Sequence, residues 1–578
     1  MRQAFRTRLR VIILLVAAVS LLLITRLYFV QVVHGSDYAL RAEKQYVSSS
    51  QKMYDRGSIY FTRKDGTLIS AAALATGFTL AIDPMHLEDA EEAYRQITAA
   101  GVEVDYEKYM ASAAKKDDPY EVIAKRVPDS VGRVISDLDL PGVVVERERW
   151  RTYPASPQAS RSVGFVAYDN DNTLAGRIGL ERYYNDALTH RSDGLFGNFF
   201  AELFANIDSV MVDAREAREG DIVTSIEPVV QEILDQVLLE IQAKYSSRET
   251  GGIIMDPATG EIIALEVIPS FDANNFGTED PENFGNPLVE HTYEFGSIVK
   301  ALTMAGGIDS GAVDATTIYN DTGCMTLNTK KICNYDLKAR GMVPMQEVLS
   351  QSLNIGATYV ALKTGHDQFR EYFKQLGFGT ETGVDLPSEV PGNIRNILNS
   401  PRDIEYATAS FGQGIAVTPM EMVRALGALA NHGAIVTPHL VRAVKLESGV
   451  TKQLSWGHKE QVYKREAVEE VTRMLVKVVD EKLGGGTVKI PEMSVAAKTG
   501  TAQIAGPGGS YYDNLYFHSF FGYFPASDPK FIILLYTREP KNVQYASETL
   551  THPFMDLTHF LINYYAVPPD RADYESTT

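Results

Sequence analysis

The chain is poor in cysteine: Cys324 and Cys333 are the two among its 578 residues. The lack of further cysteine, and of histidine at ligand spacing, argues against a structural zinc site. Basic side chains are also short. Lys and Arg number 55 against 74 Asp and Glu, a net charge of −19. That balance argues against a nucleic-acid partner, because a phosphate backbone is met by a basic surface. Neither G-x-G-x-x-G nor the P-loop pattern occurs, which removes the two common glycine-rich phosphate cradles. Internal repeats and long low-complexity linkers are absent as well. What remains is an ordinary globular composition, 45% hydrophobic and 22% charged, in a chain too long for one core. Two or three domains are expected.

The first ten residues break the acidic trend, with Arg2, Arg6, Arg8 and Arg10 and no acid. The uncharged run Val11 to Ile24 follows and continues beyond Arg26 as Leu27 to Val33. A bilayer needs about 20 apolar residues, and Arg26 near the outer end can snorkel to the headgroups. A cleaved signal peptide shares the basic start and apolar run. Here no small-x-small cleavage site follows, so the span is read as an uncleaved anchor. This gives a cytoplasmic tail at 1–10, a transmembrane helix at 11–33, and everything after residue 35 outside the cytoplasm by the positive-inside rule. Outside the cytoplasm a close pair such as Cys324 and Cys333 tends to be a disulfide. Closing so short a loop would contribute about 2–3 kcal/mol. Two reduced, unrelated cysteines are the alternative.

Residues 37–215 read as a mixed, strand-containing region of short elements with no catalytic constellation. Gly77 to Asp83 and Pro141 to Pro154 read as strands, and Leu87 to Gly101 as a helix ended by glycine. The character changes near Gly220. A strand, a helix with Pro228 in its first turn and a hairpin (GIIMD, PATG, EIIALEV) come first. Helical segments run from about Ser297 to Ala430, and strands return from Met493 to Thr537. Residues Pro553 to Tyr565 read as an amphipathic closing segment. Strands at both ends with helices between them predict an α+β domain over 220–566, one antiparallel sheet flanked by helices. The polar tail 567–578 reads as disordered.

Three short patterns occur in order in this second half: Ser297-x-x-Lys300, Ser352-Leu353-Asn354 and Lys498-Thr499-Gly500-Thr501. Each is weak alone, and their order and spacing make the signal. A serine hydroxyl is a poor nucleophile until a base takes its proton. At i and i+3 of a helix, Ser297 and Lys300 share a face and can hydrogen-bond. Lysine acts as a base only when burial or a neighbouring cation lowers its pKa. Ser352 can relay a proton between Lys300 and a leaving amine, and Asn354 can bind a substrate amide. Lys498 supplies a cation for a carboxylate or for tuning the serines. Gly500 permits close backbone approach, and the Thr501 amide can complete an oxyanion hole with that of Ser297. Two decoys are set aside. Lys363-Thr364-Gly365 follows a helical run, so Gly365 reads as a helix end. Ser49-x-x-Lys52 lies in a polar stretch beside the anchor.

With these motifs the chain resembles a class B penicillin-binding protein over nearly its whole length. Further matching segments are Asp55 to Ser70, the stretches within Arg151 to Leu188, Asp256 to Phe276, and Phe411 to Gly433. Phe295 stands where that family usually has proline, and Glu227 where aspartate is usual. The resemblance implies a pedestal (dimerisation-type) domain at 37–215 and a penicillin-binding transpeptidase domain at 220–566. It implies a peptidoglycan D,D-transpeptidase of septal or lateral wall synthesis that crosslinks stem peptides through an acyl-enzyme on Ser297. Terminal D-Ala would leave, and β-lactams would acylate the same serine. The implied catalytic set is Ser297, Lys300, Ser352, Asn354 and Lys498, with Thr499, Gly500 and Thr501 binding substrate. No metal or organic cofactor is required. The implied partners are D-Ala-D-Ala stem peptides, β-lactams, a SEDS-family glycosyltransferase and other divisome or elongasome membrane proteins.

Overall fold

A computed structural model describes residues 55–168, 174–189, 219–446, 448–457, 459–506 and 510–572. The expected anchor at 11–33 and the Ser49-x-x-Lys52 decoy lie outside them. Among the described residues, no helix is long and apolar enough to cross a membrane.

The described chain forms two compact units. The smaller is Thr76–Trp150 together with Asp55. In it the end of the strand Leu68–Ile82 pairs antiparallel with Glu121–Pro128. Ala93, Ile97, Tyr109 and Ile135, from three helices, share its core with Phe78, Leu80 and Ile82. The larger unit holds Arg56–Ala75 and the described parts of Arg151–His190 and Phe196–Thr578. This division departs from the boundary expected near residue 215. Strand Ile59–Thr62 pairs in parallel with Gly220–Thr224, and Arg56 and Arg151 both bind Glu181. These are contacts between distant stretches, invisible to local pattern.

The larger unit is built on a five-stranded antiparallel sheet in the order Ala496–Ala505, Tyr511–Phe524, Phe531–Arg538, Glu249–Met255, Ile262–Ile268. Both ends of the region thus supply one sheet, as the strand pattern predicts. Helix Pro228–Tyr245 lies on one side of it. Glu227 caps that helix by accepting the Val230 amide at 2.8 Å, and it also accepts the Tyr564 hydroxyl at 2.7 Å. Helix Val299–Asp309 is different. Val299 through Gly307 are all buried, Lys300 and Thr303 among otherwise apolar or small residues, as befits a helix inside a large core.

The tail departs from expectation. Asp570 and Arg571 are buried. Asp570 accepts the amide and hydroxyl of Ser494 and the hydroxyl of Ser527, while Arg571 pairs with Asp480 at 2.6 Å. Two charged residues in a short polar end hide partners far away in sequence, so composition alone misreads them. Only 573–578 of the expected tail lies outside the described residues.

Candidate active site

Gly296–Ile298 forms a single 3-10 turn that leads into helix Val299–Asp309. It places Ser297 at the wall of a cleft of about 800 Å³. Gly296 has φ +64°, a conformation that favours glycine. A Cβ at Gly296 would lie 2.7 Å from the Thr501 carbonyl oxygen, and one at Gly500 would lie 2.5 Å from that of Phe295. The two glycines let strand Ala496–Ala505 run directly against the serine turn. Ser519 Oγ donates to the Phe295 carbonyl at 2.7 Å, and the Gly296 amide donates to Gly412 at 3.2 Å. The Phe295 ring, 1% exposed, meets Phe517 edge-on at 5.2 Å. That contact gives this chain's phenylalanine a packing role beneath the serine.

Lys300 is 1% exposed and Lys498 2%. Lys300 Nζ donates to the Ser352 carbonyl at 2.7 Å and to Ser352 Oγ at 3.2 Å. Lys498 Nζ donates to the same Oγ at 3.1 Å and to the Thr499 carbonyl at 3.0 Å. Burial pulls the Lys300 pKa well below that of an ordinary lysine, and the charge of Lys498 lowers it further. Burial likewise lowers Lys498, to about 7. Desolvation penalises an ammonium and favours the amine. The expected Ser297–Lys300 hydrogen bond is not among those made by the described residues. Lys300 turns to Ser352 instead, so the middle serine stands between two amines.

Ser352 has φ +55°, uncommon for a residue with a Cβ and of the kind that collects at functional sites. Helix Asn354–Thr364 starts two residues later. Asn354 Nδ2 donates to the Cys333 carbonyl at 2.9 Å. Cys324 and Cys333 are joined, with Cα atoms 4.0 Å apart, at the base of the hairpin Cys324–Leu327 and Lys330–Cys333.

Ser297, Ser352, Asn354, Lys498, Thr499 and Thr501 all line the one cleft. Lys300 sits buried behind Ser352, and Gly500 lies against the serine turn. The Thr501 hydroxyl accepts the Ala546 amide at 3.0 Å. Lys363 is exposed on its helix, with Gly365 at φ +85° just past the end, and takes no part. Sequence reasoning did not single out Tyr335, Gln503, Tyr545 or the turn residues 483–485, all at the cleft wall, where Gln413 of the family-like Gly-Gln-Gly stretch also lies. Gln413 carried a signal, since it stands between Gly412 and Gly414, both at positive φ. The exposed tyrosines carried none.

The model of the penicillin-binding protein transpeptidase domain matches residues 250–556. The chain is 28% identical to stage V sporulation protein D of Bacillus subtilis over 558 residues, covering 95% of this chain and 84% of that protein. It is 26% identical to the peptidoglycan D,D-transpeptidase MrdA of Acinetobacter baumannii, covering 87% and 79%. Its fold is similar to a penicillin-binding protein 3 from Mycobacterium tuberculosis complexed with ampicillin. That match has a TM-score of 0.67 at 20% identity and covers 89% and 96% of the two chains.

Proposed function

The chain belongs to the penicillin-binding-protein transpeptidase family, and from that premise we propose how its residues divide the work of a class B peptidoglycan D,D-transpeptidase. The enzyme is a serine-type D-Ala-D-Ala transpeptidase acylated by β-lactams. The observation that carries the residue roles is the pair of buried lysines sharing one serine hydroxyl beside Ser297.

Ser297 Oγ attacks the carbonyl carbon of the penultimate D-Ala. Lys300 takes the serine proton, because burial and the neighbouring cation favour its neutral form. The amides of Ser297 and Thr501 hold the oxyanion. The carbon–nitrogen bond to the terminal D-Ala breaks, and its nitrogen receives a proton from Lys300 through Ser352. An amine of a neighbouring stem then attacks the ester, passes a proton back along the same path, and frees Ser297. Asn354 binds an amide of the donor stem. Lys498 sets the charge at Ser352 and faces the substrate carboxylate. Septal or lateral wall synthesis, a single-pass anchor at 11–33 in the inner membrane, and a SEDS-family glycosyltransferase partner complete the reading.

The test is a reaction of the full-length membrane protein with lipid-II-derived strands. Crosslinked stems and free D-Ala in equal amounts are expected, both lost after penicillin treatment. Rapid turnover of penicillin without crosslinks would overturn the transpeptidase reading.

A further inference from the structure

The residue that binds the substrate amide is itself held by something outside the reacting set. Helix Asn354–Thr364 has Leu353 at its capping position, and Leu353 offers no side-chain cap. An uncapped first turn leaves backbone amides without partners. Here Asn334 Oδ1 accepts the Ile355 amide at 3.2 Å, so a side chain from another segment does the capping. The preceding carbonyl, that of Cys333, fixes the Asn354 carboxamide. Two successive residues, 333 and 334, thus grip two successive residues, Asn354 at the end of the Ser352-x-Asn354 element and Ile355 just after it.

Asn334 is fixed in turn. It is 1% exposed, and its Nδ2 donates to both oxygens of Asp321, at 2.9 and 3.0 Å, and to the Lys338 carbonyl at 3.2 Å. Its own amide donates to the Gly323 carbonyl at 2.8 Å. Asp321 is fully buried and also accepts the Arg340 amide at 2.9 Å. Together with the Cys324–Cys333 bond, these make three successive ties across one short clip: side chain 321 to 334, backbone 323 to 334, and sulfur 324 to 333.

We propose that Asn334, anchored by Asp321, is a positioning residue that presents the Asn354 carboxamide to the amide of the substrate. One N–H of Asn354 is committed to Cys333, which leaves its oxygen and second N–H for the cleft that Asn354 lines. A carboxamide held in this way can offer one donor and one acceptor to a peptide group, at no orientational cost on binding. Released from the clip, the same side chain would rotate and the first turn of its helix would fray. Asn334 and Asp321 touch no reacting atom. The inference rests on the functional reading above and extends it to a residue that sets how the donor stem is gripped.

The test compares two probes on the intact protein: benzylpenicillin, which carries a side-chain amide, and 6-aminopenicillanic acid, which lacks it. Acylation at Ser297 is followed by intact mass over time. For Asn334→Ala, the rate with benzylpenicillin is expected to fall at least tenfold and that with 6-aminopenicillanic acid less than threefold. The exchange Asp321→Asn with Asn334→Asp restores the complementary contact and should return the benzylpenicillin rate to within threefold of wild type. An unchanged rate with both probes, or an equal loss with both, would overturn the proposal, since general loosening does not read a side-chain amide. Should Asn334→Ala fail to fold, Asp321→Asn alone carries the same comparison and the same two outcomes. A wild-type chain that takes neither probe would overturn the functional reading itself, a result separate from any effect of the variants.

Discussion

Two clusters of buried cations lie in the larger unit, and they are built on opposite principles. In one, Arg56 and Arg151 each bind Glu181 at 2.6 Å, and the three side chains are almost wholly hidden. The Tyr153 hydroxyl joins them, and Arg56 also bonds Asn185 and Thr189. In the other, Lys300 and Lys498 converge on a neutral hydroxyl, and among their hydrogen bonds in the described residues none goes to a carboxylate. A guanidinium keeps its charge under all ordinary conditions, so burying it demands an anion. An amine can discard its proton, and that is the cheaper escape from burial. The first arrangement holds a structure together. The second, in the function proposed above, makes a base.

The sharpest way to break the contrast is to put the first kind of cation in the second kind of site. Lys300→Arg is expected to lower penicillin acylation by about 10³-fold or more, since general-base catalysis is worth ~10²–10⁴ and arginine cannot supply it. Rates of fluorescent penicillin capture, read beside a thermal melt, would check this. An active arginine variant would show that Lys300 does not serve as the base.

Removing the anion from the first cluster should act on stability instead. Glu181→Ala strands two buried guanidinium groups, and breaking such a buried pair costs about 3–5 kcal/mol. Urea unfolding would measure it. The molecules that remain folded should capture penicillin at the wild-type rate, because Glu181 does not line the cleft.

The most gradual expected effect is in pH. Lys498 has a folded pKa of about 7 against 10.5 for an exposed lysine. Between those values the unfolded chain holds a proton that the folded chain lacks, so stability rises with pH across that window. Below pH 7 both states are protonated and the penalty is constant. One proton contributes up to about 1.4 kcal/mol per pH unit. Replacement of Lys498 by Met should flatten the rise in unfolding free energy from pH 7 to 10 relative to wild type. A slope unchanged by that substitution would mean that Lys498 remains charged when folded.

Much of the site was legible because its spacing is local or repeats a family order. Ser297 and Lys300 sit one helical turn apart, and the hairpins and central strands announce themselves by alternation and turn residues. Other features arise only when distant segments meet. The left-handed Ser352, the tertiary cap from Asn334, the Phe295–Phe517 contact and the buried Asp570–Arg571 pair carry no periodic signal. The Glu181 cluster draws Arg56 and Arg151 from either side of the smaller unit's sequence, so a boundary drawn by composition missed it. The expected bond between Ser297 and Lys300 followed from helical spacing, but the Ser352 carbonyl and hydroxyl take the amine.

The most direct test is the mass of the protein after brief exposure to benzylpenicillin, followed by mapping of the modified peptide. The account predicts one added penicillin per chain, located on Ser297 in the sequence TYEFGSIVK, and none on Ser297→Ala. A label on Ser352, or a Ser297→Ala variant that still gains the mass, would contradict it.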